Sequence, residues 1–195
     1  MTHDRGDAAG ADAAPSARCT HLLYLHGFRS SPQSTKARYV AAWLAAHRPD
    51  VLLHCPQLPP SPADALHGVF AHVAGWPPAT SAVIGSSLGG YYATAVAERL
   101  GWRAVLLNPA VNPARDPAQF IDELRALACG ALTRPERYFA VIAKGDEVLD
   151  WREMAARYAG CRLKLLEGGD HALSDFGAHW SEIARFLVLS DWRPA

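Results

Sequence analysis

The hydrophobic positions along this chain fall into two alternating patterns. Short, nearly continuous apolar runs are typical of strands buried on both faces, and the longer segments between them repeat apolar residues every three or four positions, as amphipathic helices do. The six predicted strands lie within residues 19–27, 50–56, 80–85, 103–110, 137–147 and 162–172. The six predicted helices lie within residues 31–47, 61–74, 87–101, 116–128, 150–160 and 174–190.

Residues at the helix ends support this pattern. Ser31 and Ser61 each precede a proline, so each is predicted to cap a helix that begins at that proline. Asp116 is predicted to cap the fourth helix in the same way, and Gly101 is predicted to end the third. Because strands that alternate with helices form parallel sheets with right-handed crossovers, we expect a three-layer α/β/α sandwich around six parallel strands. Reactive groups should then lie beyond the carboxyl ends of the strands.

The composition is that of an ordinary globular protein of 195 residues. Half of the residues are hydrophobic, and 19 basic side chains balance 19 acidic ones, so charge gives no reason to expect a nucleic acid or an anionic membrane as partner. No apolar run approaches the roughly 20 residues that span a bilayer. Residues 1–18 are small, polar and aperiodic, without an apolar secretory core, and we interpret them as a disordered leader before one domain of residues 19–195.

The four cysteines, Cys19, Cys55, Cys129 and Cys161, are scattered along the chain without a Cys-x-x-Cys pair. This spacing does not favour a disulfide framework or a zinc site. It fits a cytoplasmic protein whose thiols are reduced and pack as small apolar groups. We therefore expect no metal site.

Two adjacent serines stand between glycines where the third strand meets the third helix. Gly85-Ser86-Ser87-Leu88-Gly89 matches the Gly-x-Ser-x-Gly pattern, in which a nucleophilic serine occupies a sharp strand-to-helix turn. Larger side chains two positions to either side would collide in such a turn, which accounts for both glycines. Since the surrounding elements are the ones this motif requires, we predict that Ser87 is a nucleophile and that Ser86 is not.

A serine hydroxyl needs a base, and the base needs an orienting acid. In an α/β-hydrolase the acid and then the histidine follow the serine along the chain. Only His171 and His179 follow Ser87. His171 lies in a glycine-rich loop after the last strand, whereas His179 falls inside the final helix. His171 is therefore the predicted base.

The acid should follow an intervening strand, and the segment after the fifth strand offers Asp146, Glu147 and Asp150. Asp146 follows a turn glycine directly at the end of the strand and is the predicted acid. Asp150 is the alternative, although its position one turn later favours a helix cap. Glu147 is expected to face solvent.

Two backbone N–H groups are predicted to bind an oxyanion. One belongs to Leu88, directly after the serine, and the other to Phe28, in the loop after the first strand. His26 precedes the serine in the chain, so we expect its ring to shape that loop instead of acting as a base. Side chains near the expected site are candidates for substrate contact: Phe28, Tyr91, Asn108, Leu149 and Leu173.

Six segments, in this order, resemble the small bacterial YqiA-like esterases of the α/β-hydrolase superfamily. They are LYLHGFRSSPQSTKA, PQLPPSPADA, IGSSLGGYYAT, LNPAVNP, KGDEVLDWRE and EGGDHAL. The resemblance runs from about residue 21 to residue 189. It implies a compact α/β-hydrolase fold that hydrolyses carboxylic ester or thioester acyl groups, with Ser87, Asp146 and His171 as the matching triad.

The sequence departs from the pattern of that family in two places. Ala143-Lys144 precede the Gly-Asp of the predicted acid, where a Thr or Gln is expected, and Leu173 stands where an aromatic residue is usual. The second departure concerns the expected pocket wall and leaves the three triad residues in place.

The expected reaction is acyl transfer to Ser87 followed by hydrolysis, which requires neither a metal nor an organic cofactor. The expected partner is a small-molecule ester or thioester. Because only about 29 residues separate Asn108 from the fifth strand, there is no room for a large cap domain, and the cleft should be open. Alternatives are a catalytically inactive binding module on the same scaffold, or a thioesterase, amidase or acyltransferase.

Overall fold

A computed structural model describes residues 17–112 and 120–190 of the chain. Its six strands are β1 His21–Leu25, β2 Leu52–His54, β3 Ser81–Ser86, β4 Arg103–Leu107, β5 Tyr138–Ala143 and β6 Arg162–Leu166. They form one parallel sheet in the order β2-β1-β3-β4-β5-β6. Each strand overlaps the apolar run that predicted it.

Helices connect the strands and cover both faces of the sheet. They are α1 Thr35–His47, α2 Pro62–Val73, α3 Leu88–Leu100, α4 Ile121–Ala126, α5 Trp151–Arg157 and α6 Phe176–Phe186. Single turns of 3₁₀ helix at Pro78–Thr80 and Pro135–Arg137 lead into β3 and β5. Together, these elements confirm the predicted three-layer α/β/α architecture.

The core consists of two apolar layers, because successive strand residues point to opposite faces of the sheet. Tyr24 and Ile84 pack in the layer beneath α1 and α6. Leu25, Leu106 and Ile142 pack in the layer beneath α2, α3 and α5. Since both faces of the central strands are filled by side chains, polar chemistry is confined to the ends of the strands.

The order of the strands places a crevice above β1 and β3. From β1 the chain moves outward to β2 and then crosses back to β3 on the other side of β1, so its direction across the sheet reverses between these two strands. Leu25 lies beside Gly85 in the register of this pair. The loops that leave β1 and β3 are therefore adjacent, at the place where parallel α/β sheets bind ligands.

The two Ser-Pro pairs behave differently. Ser61 caps α2 as predicted, accepting a hydrogen bond from the Asp64 N–H at 3.1 Å. The prediction for Ser31 is wrong: α1 begins at Thr35, and its cap is Ser34. Ser31 instead starts a turn, because its carbonyl accepts the Ser34 N–H at 3.0 Å.

Other predicted ends have mixed outcomes. Gly101 ends α3 with a φ of 71°, a left-handed conformation that favours glycine, as predicted. The predicted cap Asp116 lies outside the described residues, as does most of the predicted N-terminal leader. Within 17–112 and 120–190, no helix has the combined length and apolarity that a bilayer crossing requires.

The contrast between the two Ser-Pro pairs predicts unequal effects on stability. Ser61→Ala removes the cap and also the hydrogen bond that the Ser61 hydroxyl donates to Glu123 at 2.8 Å, so it should lower the free energy of unfolding by about 1–2 kcal/mol. Ser31→Ala, the matched control, should change that free energy by less than about 0.5 kcal/mol. Urea titrations measure both values, and equal losses would contradict the cap assignment.

Candidate active site

Ser87 occupies the sharp turn between β3 and α3, with φ of 54° and ψ of −121°. A non-glycine residue with positive φ is uncommon and costs on the order of 1–3 kcal/mol. Three backbone hydrogen bonds hold it there: the Ser87 N–H donates to Leu107 O at 3.0 Å, and the Ser87 carbonyl accepts from Gly90 at 2.8 Å and from Ala110 at 3.0 Å. The turn therefore projects the hydroxyl beyond the edge of the sheet.

The glycines on either side of Ser87 are required by close packing. A Cβ added to Gly85 would lie 2.6 Å from the Ala93 methyl group, and one added to Gly89 would lie 2.6 Å from the His26 carbonyl oxygen. Both separations are shorter than the contact distances that a nonbonded carbon keeps from another carbon or from a backbone oxygen. The predicted collision is thus present on both sides of the turn.

The structure brings three of the predicted side chains into one line of hydrogen bonds. His171 Nε2 lies 2.9 Å from Ser87 Oγ, and His171 Nδ1 lies 2.7 Å from Asp146 Oδ2. A carboxylate at Nδ1 holds the ring proton there and leaves Nε2 free to accept the serine proton. The three residues follow β3, β5 and β6, so each comes from the carboxyl end of a strand.

The competing residues have other partners. Asp150 caps α5 by accepting the Arg152 N–H at 2.9 Å. His179 lies within α6 and bonds Asp175 one turn earlier, at 3.1 Å. Neither side chain bonds His171 or Ser87 among the described contacts.

The Asp146 carboxylate is completely buried, with 0% of its side chain exposed. Its second oxygen accepts the N–H groups of Val148 and Leu149, each at 2.8 Å. Burial by itself raises the pKa of Asp146, but the hydrogen bond from His171 and those from Leu149 and Val148 outweigh it, and the pKa lies below the ordinary value for aspartate. The carboxylate is therefore ionised at neutral pH.

The loop that carries His171 begins with two glycines at positive φ, Gly168 at 85° and Gly169 at 81°. It is anchored on both sides of the histidine. Glu147, although exposed, accepts the His171 N–H at 3.0 Å, and the Lys36 ammonium donates to the Ala172 carbonyl. These contacts fix the backbone from which the imidazole extends.

The loop after β1 lies directly against the serine. A Cβ added to Gly27 would be 3.2 Å from Ser87 Cβ and 3.7 Å from Ser87 Oγ. His26 Nε2 accepts the Leu58 N–H at 3.2 Å, so the ring proton is on Nδ1, 2.9 Å from the Gly27 carbonyl that accepts it. His26 therefore joins the loops after β1 and β2, in agreement with a role in shaping the loop.

A cleft of about 480 Å³ opens beside this loop. Its apolar lining comes from Phe28, Leu58, Pro59, Pro60, Leu88 and Tyr92, and Gln57 and Ser30 add polar groups. Phe28 is 40% exposed, so its ring is available at the mouth of the cleft. The cleft therefore starts at the two residues whose N–H groups were predicted to bind an oxyanion.

Of the five side chains predicted to contact substrate, Phe28 lines this cleft. The prediction is wrong for Asn108 and Leu173, which are 0% and 1% exposed. Asn108 is enclosed by backbone groups that it hydrogen-bonds, and Leu173 packs in the apolar layer beneath α6.

Tyr91 and Leu149 also lie away from the cleft. The Tyr91 hydroxyl donates to the Leu124 carbonyl at 2.7 Å and borders a separate cavity, and Leu149 borders an open depression beside Asp146. The next residue along α3, Tyr92, lines the cleft instead. The sequence alone did not identify Leu58, Pro59 and Pro60 as residues of the cleft. The feature that indicates them is the Pro-rich segment directly after β2.

Groups that could hold a metal ion do not converge near Ser87. Across residues 17–112 and 120–190, no three His, Cys, Asp or Glu side chains are arranged to do so. The four cysteines are free thiols, and burial raises the pKa of Cys19 to about 11.

Solved structures share this fold at low sequence identity. A protein from Agrobacterium vitis S4 matches with a TM-score of 0.72 and 15% identity, over 88% of this chain and 91% of that one. Mouse alpha/beta hydrolase domain-containing protein 10 matches at 0.70 and 12%, over 86% and 90%. The Pyrococcus furiosus esterase Pf2001 matches at 0.65 and 16%, over 89% and 82%.

These likenesses establish the α/β-hydrolase fold. A family model described as an uncharacterised protein family, UPF0227, matches residues 21–188, nearly the range over which the sequence resembles the YqiA-like proteins. Since that match spans β1 through α6, the chain belongs to the UPF0227 family, the YqiA-like branch of the α/β-hydrolase fold.

Proposed function

We propose that this protein is a serine hydrolase that cleaves carboxylic ester or thioester acyl groups through an acyl-enzyme. The observation that carries the proposal is the pair of hydrogen bonds, 2.7 Å and 2.9 Å long, that joins Asp146 to His171 and His171 to Ser87. Structures of the same fold include one named as an esterase, which supports the reaction class.

In the first step, Ser87 Oγ attacks the acyl carbonyl while His171 Nε2 accepts the hydroxyl proton. The ring then carries a positive charge next to the Asp146 carboxylate. Because the pKa of Asp146 lies below its ordinary value, that carboxylate is ionised and stabilises the imidazolium. The carbonyl π electrons move to oxygen, which becomes the oxyanion.

The oxyanion is held by the N–H groups of Leu88 and Phe28. Leu88 is the first residue of α3, so its N–H has no partner within the helix and points along the positive end of the helix dipole. Ser87 occupies the cap position of α3 without a side-chain capping bond, which keeps the hydroxyl available for attack. Phe28 supplies the second donor from the loop that lies against the serine.

The oxyanion then collapses and expels the alcohol or thiol, which takes the proton from His171. Water enters, gives a proton to His171 and attacks the ester carbonyl on Ser87. A second collapse releases the acid and returns the proton to Ser87. During both halves the acyl chain lies in the apolar cleft of about 480 Å³, which is open to solvent and suits short and medium chains.

Ser87→Ala removes the nucleophile and should lower kcat for p-nitrophenyl acetate by roughly 10⁶. The neighbouring Ser86→Ala is the matched control, since its hydroxyl does not bond His171, and it should keep kcat within about tenfold of the native value. A fluorophosphonate probe should label the native chain at Ser87. Native turnover by Ser87→Ala would refute the proposal.

The two candidate acids are separated by amide substitutions. Asp146→Asn leaves His171 without a carboxylate to hold the Nδ1 proton, and kcat should fall by about 10⁴. Asp150→Asn should cost at most about 1 kcal/mol of stability, through a weaker cap on α5, with kcat nearly unchanged. Steady-state rates for both variants decide between them, and a larger loss in Asp150→Asn would reverse the assignment.

The position of the cleft predicts which leucine-to-alanine substitutions change the preference for the length of the acyl chain. Leu58→Ala should lower kcat/KM for p-nitrophenyl hexanoate about tenfold, because it removes apolar contact with the acyl chain, and should affect the acetate ester by less than about twofold. Leu149→Ala deletes the same atoms outside the cleft and should leave the ratio of hexanoate to acetate activity unchanged. A change in that ratio for Leu149→Ala would place the acyl chain elsewhere.

A further inference from the structure

Asn108 is buried at the carboxyl end of β4, and its side-chain amide is fully hydrogen-bonded. Its Nδ2 donates to the Asp170 carbonyl at 3.0 Å and to the His171 carbonyl at 3.1 Å. Its Oδ1 accepts the Ala143 N–H at 2.8 Å. We propose that Asn108 is a positioning residue, which fixes the backbone of His171 so that the imidazole meets both Ser87 and Asp146.

The order of the strands in the sheet allows this one amide to contact the ends of several strands. β5 lies between β4 and β6, so the side chain of Asn108 reaches across the end of β5, at Ala143, to the loop that follows β6. One amide thereby joins the ends of three strands. The His171 backbone is then held from both directions, its carbonyl by Asn108 and its N–H by Glu147 at 3.0 Å.

The chemistry of the position selects asparagine. The two carbonyls require two N–H donors and the Ala143 N–H requires an acceptor, and a primary amide supplies all three from one plane. The backbone of Asn108 has a φ of 40°, a left-handed conformation that asparagine adopts more readily than most residues. Aspartate would keep the size and the acceptor but would lose both donors.

The inference rests on the proposed function, because Asn108 acts through His171 and touches no reacting atom. Its effect should appear in turnover and not in substrate binding, since the amide does not line the cleft. A displacement of about 1 Å at a reacting group can cost about 10²-fold in rate.

The test is Asn108→Asp. At neutral pH its carboxylate faces two carbonyl oxygens with no proton to donate, so kcat for p-nitrophenyl acetate should fall about 10²-fold while KM stays within about twofold. Protonation restores one donor. The ratio of variant to native kcat should therefore rise as the pH is lowered from about 8 to about 5.5, because a buried carboxyl next to carbonyls has a raised pKa.

Thr94→Val is the matched control for lost buried hydrogen bonds. Thr94 Oγ1 bonds the Gly90 carbonyl and the Tyr158 hydroxyl, each at 2.9 Å, and neither partner belongs to the His171 loop. This variant should lose stability but keep kcat within about twofold. The proposal is overturned if Asn108→Asp folds and keeps native kcat, or if the ratio of its kcat to native kcat does not change with pH. It is also overturned if Asn108→Asp and Thr94→Val lose kcat in the same proportion to their loss of stability.

A second measurement does not depend on catalysis. Proton NMR should show a low-field signal for the His171 Nδ1–H that bonds Asp146 in the native chain and in Ser87→Ala, and a shifted or missing signal in Asn108→Asp. An unchanged signal in Asn108→Asp would overturn the positioning role. An active Ser87→Ala would instead refute the proposed hydrolase, while this signal would still report on Asn108.

Discussion

The left-handed backbone of Ser87 is the constraint on which the rest of the site depends. A φ of 54° is an unfavourable backbone conformation for an isolated serine. The conformation persists in the protein because contacts with the surrounding backbone hold it. Gly85 and Gly89 let α3 pack against the ends of β1 and β3 at distances that a methyl group would prevent. The strain is thus balanced by close packing of the first turn of α3 onto the sheet, and the same packing aims the hydroxyl away from the core.

The other groups reach the serine through the geometry of a parallel sheet. Because every strand ends at the same edge, residues 59 and 84 positions from Ser87 along the chain, Asp146 and His171, arrive beside it without any long loop. The parallel sheet thus brings these residues to the same edge. The final placement comes from hydrogen bonds between loops, such as those of His26 with Leu58 and Gly27.

The sequence predicted the strands, their parallel direction and the convergence of Ser87, Asp146 and His171, because apolar periodicity and motif position both follow from local chemistry. It could not predict which polar residue at a strand end turns inward. Asn108 follows an apolar strand just as Asp146 does, yet it is enclosed by carbonyls that belong to a loop 62 residues later. Similarly, the sequence singled out Tyr91 as a contact for substrate, whereas the neighbouring Tyr92 lines the cleft, together with residues of the distant segment after β2.

The side chain of the predicted acid is more deeply buried than that of the predicted base, and this difference bears on the proposed chemistry. Asp146 is 0% exposed and His171 20%. The buried charge is held by the N–H groups of Val148 and Leu149 as well as by the ring, while Lys144, two residues away, pairs with Glu167. Dipoles can stabilise a carboxylate without neutralising it. In the proposed mechanism, the full attraction of that carboxylate is therefore available to the imidazolium that forms only while Ser87 attacks, and it lowers the energy of the transition state more than that of the resting site.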